Sequence, residues 1–291
     1  MKIIHISDLH FPTHLPLFSL RGKSVIGYLN YSLRRRKKYP MKLVETLIST
    51  IQDLEYDALV ISGDITNVSH ESEFIRAKKI LSPVLNEKAF LIPGNHDRYK
   101  KESLKPESLF EKHFGDYLGE SLSSSYYLRR KEIAGQSFIG WDSNQPLPIA
   151  KANGYVPLEV IGETFEKQKK DYVLVCHHPL WNPKGQEESS GHKMSNRADV
   201  AKSLNSQPPS LYLHGHTHTN WIKKPGNLMP FYIVNSASST RLSDSGHECG
   251  FHLIEKDNNG QYSFKRYIYL KNKNEFKESP LVFLDEENGV V

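Results

Sequence analysis

Short apolar runs alternate with longer amphipathic segments along the first part of the chain. Residues Lys2–Ile6, 58–62 and 89–92 are apolar runs of strand length, and a glycine follows the last two within two residues. Residues 41–54 and 71–85 space their apolar side chains at helical intervals, which is typical of helices that bury one face. This alternation predicts an α/β architecture.

The second part of the chain continues the pattern. Apolar runs at 172–176 and 210–213 are predicted strands, and 160–170 and 198–204 are predicted helices. Other segments alternate apolar and polar positions with a period of two, so we expect antiparallel or mixed strands stacked on the first sheet. These segments are residues 125–130, 137–141, 230–235, 251–255 and 262–269.

Composition narrows the class of protein. The chain has 291 residues, of which 38% are hydrophobic and 24% are charged, as in ordinary globular proteins. No run approaches the ~18 consecutive apolar residues that a membrane-spanning helix needs. A strand begins next to Met1, so no signal peptide is expected. With only Cys176 and Cys249 there is no disulfide framework, and a cytoplasmic location is predicted.

Domain organisation follows from where the composition changes. No linker, internal repeat or low-complexity tract divides the chain, so residues 1–270 are expected to form one domain. After Leu270 the sequence becomes polar, and residues 271–291 are predicted to be a peripheral C-terminal tail or a loosely docked strand. An insertion at about residues 11–40 separates the first strand from the first helix.

Five short polar clusters each follow a predicted strand. Open α/β sheets place their sites in loops at the carboxyl ends of strands, so these clusters are expected to meet in one cleft. Their Asp, His and Asn side chains offer oxygen and imidazole ligands for divalent metals, without a thiolate. The clusters are Asp8-Leu9-His10, Gly63-Asp64, Gly94-Asn95-His96-Asp97, His177-His178-Pro179 and Gly215-His216-Thr217-His218.

The spacing within two clusters strengthens this expectation. In an extended segment, residues i and i+2 point to the same side, so Asp8 and His10 would face one ion together. His216 and His218 would reach toward neighbouring ions, and the glycine before His216 permits a sharp turn. A single Asp-x-His or Gly-Asp pair is usually part of an ordinary turn. All five clusters in this order, each after a strand, indicate a functional site instead.

The five clusters resemble the calcineurin-like metallophosphoesterase superfamily, from about residue 3 to about residue 218. The resemblance implies an α/β fold, a four-layer α/β/β/α sandwich of two mixed sheets flanked by helices, with a dinuclear metal centre. Residues 61–67 resemble the branch that contains class III cyclic nucleotide phosphodiesterases and UDP-2,3-diacylglucosamine pyrophosphatases. Purple acid phosphatases usually carry a tyrosine at the place of Asn67, which argues against their type of iron centre.

The resemblance also implies roles for individual residues. Asp64 would bridge two metal ions, and Asn95 would both bind metal and help to orient the substrate. His96 corresponds to the family's non-ligand histidine beside the scissile phosphate, and Asp97 would steady it if the two are in contact. The remaining ligands would be Asp8, His10 and His218 for one ion, and His177 and His216 for the other.

Such a centre predicts a metal-dependent phosphohydrolase that cleaves a phosphodiester or pyrophosphate bond. Two ions ~3.5–4 Å apart lower the pKa of a shared water molecule and neutralise phosphate oxygens. Mn²⁺ is the expected metal, with Fe, Zn²⁺ or Co²⁺ as alternatives, because the ligands are mixed. A non-catalytic metal-bearing scaffold of the same fold is the rival hypothesis, but a scaffold should have lost a ligand or His96.

The insertion at about residues 11–40 begins beside this expected centre. It pairs an aliphatic stripe with consecutive cations, and residues 21–42 contain no acid. It could rest on an anionic membrane or bind a lipid substrate, hold nucleic-acid phosphates, or be a solvated charge run. The first interpretation is preferred, with Arg34, Arg35 and Arg36 as candidate substrate-binding residues.

The preferred substrate is therefore a membrane-associated nucleotide-sugar lipid such as UDP-2,3-diacylglucosamine. A soluble cyclic nucleotide phosphodiesterase is the alternative. The partner would be a small-molecule or lipid-linked phosphate, with peripheral contact at the inner face of an anionic membrane. Nucleic acid is a weaker candidate, because the basic run has few aromatic residues for base stacking. The sequence does not predict the oligomeric state.

Several residues near the clusters have alternative interpretations. His192, in the loop 183–196, resembles a substrate-facing histidine of related phosphatases, with a plain surface role as an equal alternative. His178 is expected to point away from the site. His214 is expected to pack or hydrogen-bond behind the ligands, and Cys176 to be a small buried apolar residue.

Overall fold

The computed structural model describes residues 1–11, 36–99, 108–145, 147, 151–168 and 171–291, apart from the side chain of Arg36. Most of the predicted insertion, with Arg34 and Arg35, lies outside the described residues. Its last part is described: a short 3₁₀ helix spans Arg36–Lys38 and leads to the buried Tyr39.

The described part of the chain contains five α-helices. α2 ends at Leu81, earlier than the predicted residue 85, because Pro83 has no amide hydrogen with which to continue the helical ladder. The Lys79 carbonyl accepts the Ser82 hydroxyl instead, at 2.9 Å. The helices are α1 (Met41–Asp53), α2 (Glu71–Leu81), α3 (Leu109–Phe114), α4 (Leu158–Lys167) and α5 (Arg197–Leu204).

Sixteen strands of the described residues form two large sheets and one small one. The strands are β1 (Lys2–Ile6), β2 (Ala58–Ile61), β3 (Ala89–Leu91), β4 (Glu120–Ser121), β5 (Leu128–Ile133), β6 (Gln136–Trp141), β7 (Tyr172–Val175), β8 (Asn182–Pro183), β9 (Leu211–His214), β10 (Trp221–Lys223), β11 (Tyr232–Asn235), β12 (Gly250–Lys256), β13 (Tyr262–Leu270), β14 (Glu275–Ser279), β15 (Phe283–Leu284) and β16 (Gly289–Val290).

Both large sheets are mixed. The first has the order β14-β13-β12-β1-β2-β3, in which β1, β2 and β3 are parallel and the other pairs are antiparallel. The second has the order β15-β10-β11-β9-β7-β6-β5-β4, with a parallel centre from β11 to β6. The parallel strands of each sheet therefore end at a common edge, where their loops meet.

Strand periodicity divides the core into three layers of apolar side chains. In β1, Ile4 packs with the helices α1, α2 and α3, whereas Ile3 faces the second sheet. In β7, Leu174 packs with α4 and α5, whereas Val173 faces the first sheet. Helices thus cover the outer face of each sheet, which confirms the predicted four-layer sandwich.

Residues 271–291, the predicted peripheral tail, contribute three short edge strands. β14 pairs with β13, β15 pairs with β10, and β16 pairs with β8. Glu286 also reaches Lys223, a fully buried lysine, with 3.3 Å between Oε1 and Nζ. The segment is attached to both large sheets, so the predicted alternative of a docked strand describes it better than a peripheral tail.

Candidate metal centre

The five predicted clusters lie in loops directly after β1, β2, β3, β7 and β9, and the structure brings them together. Both large sheets contribute, three loops from the first and two from the second. Three groups of three residues could each hold a metal ion, because within each group the potential ligand atoms lie within 4.8 Å of one another. They are Asp8, His10 and His218; His10, Asp64 and His96; and Asp8, Asp64 and His177.

The ligand loops have an unusual backbone. Asp8, His10, Asp64, His216 and His218 all have positive φ angles, of 53°, 43°, 54°, 70° and 56°. Left-handed backbone is strained for residues other than glycine, and such strain concentrates at functional sites. The extended-segment argument from the sequence is therefore wrong, because neither Asp-x-His nor His-x-His is extended. The side chains converge through tight left-handed bends instead.

The first half of the centre surrounds Asp8. Its Oδ1 lies 3.1 Å from His218 Nε2 and 3.9 Å from His10 Nε2. The two Nε2 atoms of these histidines are 3.3 Å apart. Asp64 Oδ2 lies 3.7 Å from His10 Nε2, so the second carboxylate faces this group as well.

The second half of the centre surrounds Asn95. Its Oδ1 lies 3.1 Å from His177 Nε2 and 3.0 Å from His216 Nδ1. Asp64 Oδ2, the same oxygen that faces His10, lies 3.4 Å from His177 Nε2. One carboxylate oxygen thus stands between two sets of ligands.

Backbone carbonyls fix the hydrogen positions on two of these rings. His177 Nδ1 lies 2.8 Å from the Ser62 carbonyl oxygen, and His10 Nδ1 lies 3.3 Å from that of Thr66. Because a carbonyl oxygen only accepts, each Nδ1 donates and each Nε2 is directed at the carboxylates. A proton on Nε2 or a metal ion satisfies these contacts, and the imidazole, carboxylate and amide groups together fit divalent metal ions.

Two buried carboxylates give the site its charge. Burial alone would raise the pKa of Asp8 and of Asp64, but His218 beside Asp8 and His177 beside Asp64 hold both pKa values below the usual range. Burial opposes protonation of His177, yet the Asp64 carboxylate raises the pKa of His177 to about 10. The site therefore holds two negative carboxylates that attract positive charge.

Asp97 does not steady His96 in the way expected from the sequence. Each oxygen of its buried carboxylate accepts two hydrogen bonds, and all four come from Ile65, Thr66 and Gly94. The His96 ring instead donates from Nδ1 to the Asn67 carbonyl oxygen, at 2.5 Å. Asp97 thus ties the loop after β2 to the loop after β3. It is a positioning residue for those two loops.

Two aromatic side chains at the site were not predicted. Tyr39 lies edge-on to the His10 ring, with centroids 5.6 Å apart, and Tyr99 stacks on His96 at 5.6 Å. Tyr39 directly follows the basic run, so the described end of the insertion reaches the metal centre. Nothing in the spacing of either tyrosine pointed to this position.

Two charged side chains were also missed. Arg241 Nη1 lies 3.3 Å from His218 Nδ1, and the same guanidinium pairs with Asp244 at 2.6 Å. Glu188 Oε1 lies 3.1 Å from His216 Nε2. Both lie in loops that carry none of the five clusters, so only the tertiary structure reveals them.

The remaining predicted residues have definite positions. His192 is exposed, and its ring bonds Ser189 while its carbonyl faces His216 Nε2 at 3.0 Å. His178 is buried, with Nδ1 bonded to Ser143 and its ring 4.4 Å from the His216 ring. His214 and Cys176 are both buried, as expected, and Arg34, Arg35 and the Arg36 side chain lie outside the described residues.

The fold and the site together define a metal-dependent phosphoesterase. A family model described as calcineurin-like phosphoesterase matches residues 1–220, and the chain belongs to this family. A probable cyclic nucleotide phosphodiesterase from Ruthia magnifica subsp. Calyptogena magnifica is 24% identical over 223 residues, which are 75% of this chain and 85% of that protein.

Solved structures show the same fold at low identity. Purple acid phosphatase PPD1 from yellow lupin has a TM-score of 0.56 at 11% identity, over 98% of this chain and 53% of that one. GAP50, the anchor in the inner membrane complex of Plasmodium, has a TM-score of 0.55 at 14% identity, over 99% of this chain and 90% of that one. No helix among the described residues is long and apolar enough to span a membrane.

Proposed function

We propose that this chain is a dinuclear metal-dependent phosphodiesterase. The observation that carries the proposal is the position of Asp64 Oδ2, 3.7 Å from His10 Nε2 and 3.4 Å from His177 Nε2. A single carboxylate between two ligand sets is what a pair of ions shares. The ligands of one ion would be Asp8, His10, Asp64 and His218, and those of the other Asp64, Asn95, His177 and His216.

The chemistry divides between the ions and the chain. When bound, the ions would supply an activated water molecule and neutralise phosphate oxygens. His96 would stabilise or protonate the leaving oxygen, and because its Nδ1 is committed to the Asn67 carbonyl, proton exchange would take place at Nε2. Tyr99, stacked on the same ring, would help to hold its orientation.

Cyclic nucleotides are the first substrate class to test. The relative from Ruthia magnifica carries a phosphodiesterase name, which supports a diester over a pyrophosphate bond. UDP-2,3-diacylglucosamine, preferred on the sequence alone, has no support from the comparisons and becomes an arm of the same assay. Mn²⁺ is the first metal to test, with Fe, Zn²⁺ and Co²⁺ after it.

The experiment compares substrates and metals side by side. The protein is purified with Mn²⁺, stripped with a chelator and reloaded, and then assayed on bis-p-nitrophenyl phosphate, cyclic AMP, cyclic GMP, UDP-sugars and UDP-2,3-diacylglucosamine. We expect hydrolysis of a diester that disappears on stripping and returns with metal. Activity that survives exhaustive chelation would rule out the dinuclear mechanism.

Peripheral membrane contact is a separate part of the proposal. Its support is the sequence, in which residues 34–38 are five consecutive cations and residues 21–42 contain no acid. Among the described residues, Lys38 pairs with Asp244 at 2.8 Å. Cations near an anionic leaflet contribute about 1 kcal/mol each. The test changes Arg34, Arg35, Arg36, Lys37 and Lys38 to serine. Sedimentation with anionic vesicles should fall while hydrolysis of bis-p-nitrophenyl phosphate is retained, and unchanged sedimentation would leave the run as a solvated charge cluster.

A further inference from the structure

Glu188 is a buried carboxylate on the rim of the metal centre. It lies in the loop between β8 and α5, and only 4% of its side chain is exposed. Its Oε2 accepts hydrogen bonds from Asn182 Nδ2 at 3.1 Å and from Arg197 Nη1 at 3.2 Å. These two partners fix the carboxylate, and its other oxygen is directed at His216 Nε2, 3.1 Å away.

The contacts of His216 Nε2 favour the tautomer that metal binding needs. Nε2 hydrogen-bonds the His192 carbonyl oxygen at 3.0 Å and lies 3.1 Å from Glu188 Oε1. Because neither oxygen can donate, the hydrogen belongs on Nε2 when Nδ1 binds a metal ion. Nδ1 lies 3.0 Å from Asn95 Oδ1 and is directed into the second half of the centre.

We propose that Glu188 is a positioning residue that holds His216 in this tautomer and orientation for metal binding. The inference rests on the proposed dinuclear function and assigns Glu188 to one ion, the one bound by Asn95, His177 and His216. A negative charge beside the outer nitrogen makes the inner nitrogen a better donor to a metal, and such outer partners influence metal affinity strongly.

The other ligand histidines are held differently. His177 and His10 donate to backbone carbonyls, and His218 Nδ1 faces the Arg241 guanidinium. Among the described residues, His216 is therefore the ligand histidine whose outer nitrogen faces a carboxylate. Removal of that carboxylate should weaken one of the two metal sites and leave the other nearly unchanged.

The test measures Mn²⁺ binding to the metal-free protein by calorimetry, with bound metal counted after dialysis. Glu188→Ala should bind one of two Mn²⁺ ions about 10–100-fold more weakly, while the other site changes less than about threefold. Glu188→Gln keeps the volume and an acceptor oxygen but loses the charge, so a smaller loss at the same site is expected. Glu187→Gln is the matched control, because the adjacent carboxylate is exposed and accepts the Gly185 amide at 2.9 Å.

An alternative role for Glu188 is only to neutralise Arg197. Arg197→Met removes that partner and leaves Asn182 to hold the Glu188 carboxylate beside His216, so its Mn²⁺ affinity should fall less than that of Glu188→Ala. If Arg197→Met weakens the same site as much as Glu188→Ala does, the positioning role is wrong. It is also wrong if both Glu188 variants bind two Mn²⁺ ions as tightly as the wild type. If Glu188→Ala does not fold, Glu188→Gln decides.

Failure of the underlying function has a different result. A wild-type protein that binds fewer than two Mn²⁺ ions would overturn the dinuclear centre itself, whatever the Glu188 variants do. A wild-type protein that binds two ions, beside Glu188 variants with unchanged affinity, would overturn the role of Glu188 alone. The same calorimetric series therefore separates the two proposals.

Discussion

At the scale of single residues, Asp64 and His96 are adjacent in the site, but their replacement should affect metal content and turnover differently. Asp64→Ala should abolish turnover and lower the metal content, because one carboxylate faces both ligand sets. His96→Ala should retain both metals while kcat falls by roughly 10²–10⁴, the usual contribution of a proton donor. Metal analysis beside steady-state kinetics checks both. A His96→Ala protein without metal would show that His96 is a ligand.

Replacement of Asp97 should lower the free energy of unfolding more directly than it affects the catalytic step. Its carboxylate accepts four hydrogen bonds in a fully buried position, and each unsatisfied buried donor costs about 1–3 kcal/mol. Asp97→Ala should lower the free energy of unfolding by at least about 3 kcal/mol, measured in urea with a chelator present. Asp57→Ala is the control, because Asp57 accepts the Lys2 amide at 2.7 Å in a partly exposed place and should cost less. If Asp97→Ala is as stable as the wild type but has a much lower kcat, Asp97 acts on His96 and not mainly on stability.

The structure brings the predicted cluster residues together, but not in the predicted geometry. Asp, His and Asn after strands identify candidate ligands by chemistry, and the resemblance supplied the proposed pairing. The left-handed bends at Asp8 and His216 could not be predicted, because side-chain type does not determine such strained backbone. Glu188 carried no signal either: Glu187 precedes it with the same chemistry, and only the fold buries the Glu188 side chain and exposes Glu187.

At the scale of elements, a polar network joins the two sheets inside the apolar layer. Ser236 Oγ, after β11, lies 3.0 Å from His5 Nδ1 in β1 and 3.0 Å from His252 Nδ1 in β12. Burial, followed by the charge of Arg266, lowers the pKa of His252 to about 3. His252 is therefore neutral in the fold, whereas in the unfolded chain it is protonated below about pH 6.5.

This difference makes the protein sensitive to acid. The unfolded state binds more protons between about pH 6.5 and pH 3, so the contribution of His252 is complete above pH 6.5 and is lost as the pH falls toward 3. The loss from this one group should be about 2 kcal/mol at pH 5. Urea unfolding at several pH values, with chelator, measures it. His252→Asn cannot be protonated and should flatten the pH dependence, and an unchanged slope would contradict this account.

Element prediction succeeded where an apolar run was uninterrupted and failed where it was broken or too short for a helical period. The strands β1, β7 and β12 lie within a residue or two of their predicted ranges. α3 was not predicted because six residues are less than two helical turns, and β10 was not because a lysine interrupts the kind of apolar run that predicted the equally short β3. Their existence depends on packing against neighbouring elements rather than on local propensity.

At the scale of the whole molecule, the metal centre spans the junction of the two sheets. Asp8, Asp64 and Asn95 come from the first sheet, whereas His177 and His216 come from the second. Bound metal would therefore link the layers, so ions that bind only the folded state should raise its stability. The fold class was predictable because the ligand clusters carry the family resemblance. For residues 271–291 the sequence left a docked strand and a peripheral tail as alternatives, because the attachment depends on charge and strand pairing at sheet edges.

Glu286 contributes to that C-terminal attachment beside the strand pairing. Its carboxylate accepts the amides of Leu228 and Met229, each at 3.0 Å, and lies 3.3 Å from the fully buried amine of Lys223. Glu286→Ala would leave that cation buried with only carbonyl partners. The free energy of unfolding should fall by about 2–4 kcal/mol, less than for a fully buried pair because 22% of the Glu286 side chain is exposed.

Chemical unfolding of two adjacent variants checks this prediction. Glu287→Ala removes an exposed carboxylate next in the chain and should change the free energy of unfolding by less than about 0.5 kcal/mol. A double variant, Glu286→Ala with Lys223→Met, removes both charges and should recover part of the loss, because no cation is then left buried without its partner. If Glu286→Ala is as stable as Glu287→Ala, strand pairing alone holds the C-terminal segment in place. In that case the Lys223–Glu286 contact contributes nothing measurable.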